Sequence, residues 1–152
     1  MKYSATVVWH RHSEPFTVKT YDRTHHIHFG GGFSVEASSA PEYLGKAELP
    51  NPEELFVASI SSCFMLTFLY WAATKGFIVN EYHAKAEGTL GKNSEAKMAM
   101  TEVIITPKVS FSEKIPDPDA LKELFDKAHE NCFISSSVKT KISIAYGASV
   151  NA

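Results

Sequence analysis

Cysteine and arginine are both scarce in this chain: two cysteines limit the sulfur chemistry, and Arg11 and Arg23 are its only guanidinium groups. Two cysteines, Cys63 and Cys132, are too few to staple a disulfide-rich scaffold, so they read as reactive thiol, metal ligand or buried filler. They form no close Cys-x-x-Cys pair, which ranks protein disulfide exchange last among thiol chemistries. Fifteen basic residues face seventeen acidic ones, a formal net charge of -2, and no basic run is interleaved with aromatics. Nucleic acid is therefore not an expected partner. The segment Met1 to Trp9 carries no apolar stretch followed by a small-residue cleavage site, so export is not expected and a cytoplasmic location is.

What is present suits one α+β domain spanning residues 1–152. Tyr3 to Trp9, His25 to Phe29 and Phe33 to Ser38 read as strands, with Gly30-Gly31-Gly32 as a tight hairpin connection. Asn51-Pro52-Glu53-Glu54 opens a helix: Asn caps, Pro suits the first turn, and two acids favour the positive end of the dipole. The helix should run to Lys75, with Gly76 ending it.

Leu55 to Thr74 contains no charge and is long enough to consider a membrane span. Ser59, Ser61, Ser62 and Thr67 dilute its hydrophobicity and no basic loop orients it, so no membrane is expected. A helix apolar on all sides must instead be covered all round. At about 1.5 Å per residue it is too long for one small domain to surround, so a second subunit is the natural cover.

Phe77 to Leu90 and Thr101 to Phe111 alternate as strands around a turn at Gly91-Lys92-Asn93-Ser94. Asp117-Pro118-Asp119 starts a second helix whose Leu121, Leu124, Phe125 and Ala128 share one face. Ile142 to Tyr146 closes the chain as a strand. The order, strands, long helix, strands, helix, strand, is that of an α+β fold.

A redox cysteine acts as thiolate, and a free thiol is only a few per cent ionised at neutral pH. Cys63 lies about three turns beyond Asn51, out of reach of a helix-dipole effect confined to the first turn. A reactive Cys63 therefore needs a cation from elsewhere. Arg23 is a candidate, because guanidinium keeps its charge when buried, and Glu53 or Glu54 is the candidate anion to orient it. Glu53 and Cys63 stand about 15 Å apart along one helix, so if both serve one site, two antiparallel copies of the helix could bring them together. His26 and His28 share a strand face, and His129 with Cys132 sits at i, i+3, so zinc sites at either place are weighed. No metal is expected.

Asn51-Pro52-Glu53-Glu54-Leu55-Phe56-Val57-Ala58, with Cys63 ten positions after Glu53, resembles the signature of the OsmC/Ohr family of organic hydroperoxide reductases. Ala128-His129-Glu130-Asn131-Cys132 resembles that family's second-cysteine segment. The resemblance implies an OsmC-like fold of antiparallel sheets around a long central helix, built as an intertwined homodimer with sites at the subunit interface. It implies Cys63 as peroxidatic thiolate, Cys132 as resolving thiol, Glu53 as the motif glutamate and Arg23 as the arginine of the Ohr branch. Two departures mark a side branch: the residues around Arg23 differ, and Phe133 follows Cys132 where better-known members carry proline.

On this reading the substrate is an organic hydroperoxide and the reductant an external dithiol, a lipoylated protein being one candidate, with no cofactor. Phe56, Phe64, Phe68 and Trp71 would favour organic over hydrogen peroxide. The competing expectation is a dimeric protein of the same fold that binds a small apolar ligand without peroxidase activity.

Overall fold

Alternating side chains, a long connection between Val8 and His25 and one short glycine turn build the first sheet. The computed structural model describes residues 1–146 together with 150 and 151. The chain divides into two compact units, Met1–Leu55 and Phe56–Ala152.

In the N-terminal unit, β1 (Ala5–Val8), β2 (His25–Phe29) and β3 (Ser34–Ala37) form an antiparallel sheet in that order. Val7 opposes Ile27 and Ile27 opposes Val35, which aligns one apolar row across three strands. The glycine turn is closed by Phe29 N–H donating to the Phe33 carbonyl at 2.8 Å, with Gly32 at φ 93°. Beyond β3 the loop folds tightly on Gly45. A Cβ there would lie 1.6 Å from the Ser39 carbonyl oxygen, so no other residue fits this backbone.

Helix α1 (Pro52–Thr74) begins with a reciprocal cap. Asn51 Oδ1 accepts from the Glu54 N–H at 2.9 Å and Glu54 Oε2 accepts from the Asn51 N–H at 3.2 Å. It ends in a Schellman arrangement: Phe77 N–H donates to the Ala72 carbonyl and Gly76 N–H to that of Ala73, with Gly76 at φ 80°. By length and composition α1 is apolar enough to cross a membrane.

In the C-terminal unit, Ile60, Phe64, Phe68 and Ala72 of α1 are fully buried, a stripe at four-residue spacing. The other side is also apolar yet open, with Leu66 61% and Tyr70 65% exposed. The expected all-round cover is therefore half supplied within one chain.

Strands β4 (Ile78–Lys92) and β5 (Met98–Ser112) pair antiparallel along almost their whole length. Their turn falls at Asn93–Lys97, later than the glycine-based expectation. Asn93 Oδ1 accepts from the N–H groups of Glu95 and Lys97, and Ala96 takes φ 59°, so the Asx geometry sets the reversal and Gly91 stays in strand.

Helix α2 (Pro118–Asn131) is capped by Asp117 Oδ1, which accepts from Ala120 N–H at 2.8 Å, and buries the four residues its periodicity predicts. Strand β6 (Lys141–Ile144) and the short β7 (Val150–Asn151) both run parallel to β5. The sheet is thus mixed, where antiparallel sheets were expected. Pro107, which cannot donate a ladder bond, is tolerated because β6 pairs β5 at Glu102 to Ile105 and β7 at Val109 and Ser110, on either side of it.

The core joins α1, α2 and this sheet. The Phe125 ring lies 5.1 Å from Phe68, 6.1 Å from Phe64 and 5.9 Å from Tyr146. Tyr82 packs 5.7 Å from Phe68, and its buried hydroxyl has no hydrogen-bond partner. Burial pushes the Tyr82 phenol above its usual range, and burial with the Asp126 carboxylate beside it pushes Tyr146 up to about 12.

Both phenols ionise near pH 10 in the unfolded chain. Their contribution is intact below that value and is lost as pH rises toward the folded pKa values. Tyr82→Phe should leave neutral-pH stability unchanged or raise it by about 1 kcal/mol, since an unsatisfied buried group is removed. It should also reduce the loss between pH 8 and pH 11, as read from urea midpoints.

Candidate functional site: a thiol pair beside an open apolar cavity

Cys63 comes from the middle of α1, one residue before buried Phe64, and is half-buried. Cys132 is the C-cap residue of α2 and is fully buried. Helix packing through Phe64 and Phe125 sets the two side chains close enough for Cys63 to raise the pKa of Cys132. No disulfide joins them; both are free thiols.

Burial pushes the Cys132 thiol up, and its contact with Cys63 adds to that; Ser135 works against both. The Ser135 N–H donates to Cys132 Sγ at 3.4 Å, in a 3₁₀ turn over Ser135–Ser137. Ser136 N–H and hydroxyl donate to the Cys132 carbonyl at 3.1 and 3.2 Å, fixing that turn on the cysteine.

Cys63 also lines a cavity of about 780 Å³ whose walls are largely apolar: Leu66, Tyr70 and Trp71 from α1, Phe133 and Ile134 from the segment after Cys132. Ser59, Ser62 and Asn131 supply neutral polar groups, and among the described residues no charged side chain lines it. Phe133, the departure at the position after the second cysteine, is 83% exposed and forms part of this wall.

The aromatic residues expected to bind substrate are placed otherwise. Phe64 and Phe68 are fully buried in the core, because the stripe they share with Ile60 and Ala72 faces α2 and the sheet. Phe56 borders a separate hollow with the β4–β5 turn. Of the expected apolar set only Trp71 reaches the cavity, with Lys127 Nζ over its ring at 4.7 Å.

Arg23 and Glu53 belong to the N-terminal unit. The Arg23 guanidinium donates to the Val18 carbonyl at 2.6 Å and the Tyr21 carbonyl at 2.8 Å, and stacks 3.8 Å over the Tyr21 ring. The expected pairing with Glu53 or Glu54 is not made within this unit. Glu54 is taken up by the Asn51 cap, and Arg23 by carbonyls of its own loop. Glu53 Oε2 is buried without a partner.

Among the described residues no three His, Cys, Asp or Glu side chains cluster as a metal site requires. His26 reaches Glu36 at 3.5 Å and His28 reaches Ser34 at 2.5 Å, both across the β2–β3 pair.

Sequence reasoning marked Phe133 as a departure without placing it at a cavity, and it assigned no site role to Leu66, Tyr70, Ile134 or Ser135. A signal for Leu66 and Tyr70 was available: a helix apolar on every side has a second apolar face, and the two lie four apart on it.

An α+β fold that sets a half-buried and a buried thiol side by side on two helices defines a dithiol protein in its reduced form. The OsmC-like protein family matches residues 45–147, and the chain belongs to that family. An OsmC-like protein of unknown function from Vibrio cholerae is 41% identical, with TM-score 0.92 over 95% of this chain and 98% of that one. An organic hydroperoxide resistance protein from Elizabethkingia anophelis shares the fold at 18% identity and TM-score 0.72, over 99% of this chain and 94% of that one. One from Bacillus subtilis does so at 18% and 0.63, over 99% and 97%. No curated protein matches the chain.

Proposed function

We propose that this protein is a thiol-dependent peroxidase that reduces organic hydroperoxides to alcohols. The observation that carries the reading is the proximity of the half-buried Cys63 thiol, which lines a largely apolar cavity, to the buried Cys132 thiol. The hydroperoxide-resistance proteins that share the fold support it.

In the proposed cycle the Cys63 thiolate attacks the outer oxygen of the hydroperoxide, the O–O bond breaks, and the alkoxide leaves and is protonated to the alcohol. Cys63 becomes a sulfenic acid. The Cys132 sulfur then displaces hydroxide from it, releasing water and forming a Cys63–Cys132 disulfide. An external dithiol restores both thiols. We assign Arg23 as the cation that favours the thiolate and Glu53 as the carboxylate that orients it, on the sequence resemblance. The unpartnered Glu53 oxygen is consistent with a donor supplied by a conformation or second subunit of the proposed homodimer.

One equivalent of cumene hydroperoxide added to reduced protein should remove both free thiols, and Cys132→Ser should accumulate a trappable sulfenic acid on Cys63. The same uncharged cavity favours a second reading, a binder of small apolar ligands with incidental thiols. Unchanged thiol counts after hydroperoxide would select it.

A further inference from the structure

We propose that Ser135 cradles the Cys132 sulfur as a thiolate, so that an external dithiol attacks the Cys63 sulfur of the oxidised site and Cys132 departs as the anion. The inference rests on the redox reading above and specifies its reductive half.

Access decides the point of attack. Cys63 lines the open cavity, whereas Cys132 is 0% exposed. A thiolate must reach the sulfur that it attacks, and of the two only Cys63 lines the cavity. Cys132 is then the leaving group, and a thiol that burial makes reluctant to ionise is a slow one unless its anion is held. Ser135 supplies what is needed. Its N–H already points at Cys132 Sγ from 3.4 Å. Its hydroxyl is buried and lacks any complete hydrogen bond in the reduced protein, yet it lies near enough to favour the Cys132 thiolate. A buried donor left unused beside a neutral thiol gains its partner when that thiol becomes charged.

One thiolate of the dithiol bonds to the Cys63 sulfur while the Cys63–Cys132 bond breaks, its electron pair staying on Cys132, which later takes a proton from solvent. The second thiol of the reductant displaces Cys63 as thiolate and closes a cyclic disulfide. Two electrons pass from dithiol to protein.

Diamide makes the protein disulfide without any hydroperoxide, so the test stands apart from peroxidase activity. Oxidised protein treated with excess 2-mercaptoethanol and acid-quenched should carry the mixed disulfide on Cys63; an adduct on Cys132 overturns the proposal. Ser135→Ala should slow reduction by dithiothreitol roughly tenfold. In a Cys63→Ser background it should make Cys132 titrate at higher pH by ultraviolet thiolate absorbance, and Ser135→Thr should restore both properties. Equal rates and equal titration for Ser135→Ala and the parent protein contradict the cradle, as does failure of diamide to join the two sulfurs. A protein that meets these expectations and leaves cumene hydroperoxide untouched retains the cradle and rejects the hydroperoxide substrate.

Discussion

Cys63→Ser should lower cumene hydroperoxide consumption at least about a thousandfold, because the cycle has no other group to accept the outer oxygen. Serine is a far weaker nucleophile than a thiolate, and among the described residues the cavity beside this position is lined by neutral groups alone. Cys132→Ser should behave differently. The first turnover should proceed and later ones stall, since sulfenic acid forms but no buried thiol lies beside it to close the disulfide. A burst equal to the protein concentration, absent in Cys63→Ser and present in Cys132→Ser, is the expected kinetic record. Equal steady rates in the wild type and Cys63→Ser would reject the peroxidase.

Phe125→Ala should destabilise the C-terminal unit by about 4 kcal/mol in urea unfolding, a large part of what a domain of this size has in hand. Phe125 is 1% exposed and sits among the rings of Phe64, Phe68 and Tyr146, so its loss leaves a cavity lined by rigid aromatics that cannot collapse into it. The same packing presses α2 against α1. Loosening it should also slow disulfide closure in whatever fraction remains folded, because Cys132 is held opposite Cys63 by that helix contact. A loss below about 1 kcal/mol would mean that the ring cluster is not the core of the unit.

Local signals placed the elements well. The Asn51-Pro52-Glu53-Glu54 start works as the reciprocal cap its residue types suggest, and Gly76 ends α1 through a positive φ. Leu121, Leu124, Phe125 and Ala128 are buried as their spacing requires. Parallel pairing of β6 with β5 was not legible, because a four-residue strand carries no mark of its partner's direction.

At the site, the two cysteines were legible as a pair only through their resemblance to a family. Which aromatics face the cavity was not legible. α1 is apolar on every side, so period alone cannot tell the Phe64 and Phe68 face, turned inward, from the Leu66 and Tyr70 face, left open. Ser135 was hidden for a different reason. Its role depends on a 3₁₀ turn folding back on the preceding cysteine, and serine after a helix end is ordinary turn composition.

The pairing of the two sulfurs is the claim on which the rest turns, and peptide mapping tests it directly. After one equivalent of cumene hydroperoxide, protein alkylated under denaturing conditions and digested should yield one peptide pair joining Cys63 to Cys132. The intact mass should remain that of a single chain two protons lighter. Alkylated Cys63 and Cys132 recovered intact, or a disulfide joining two chains, would contradict it.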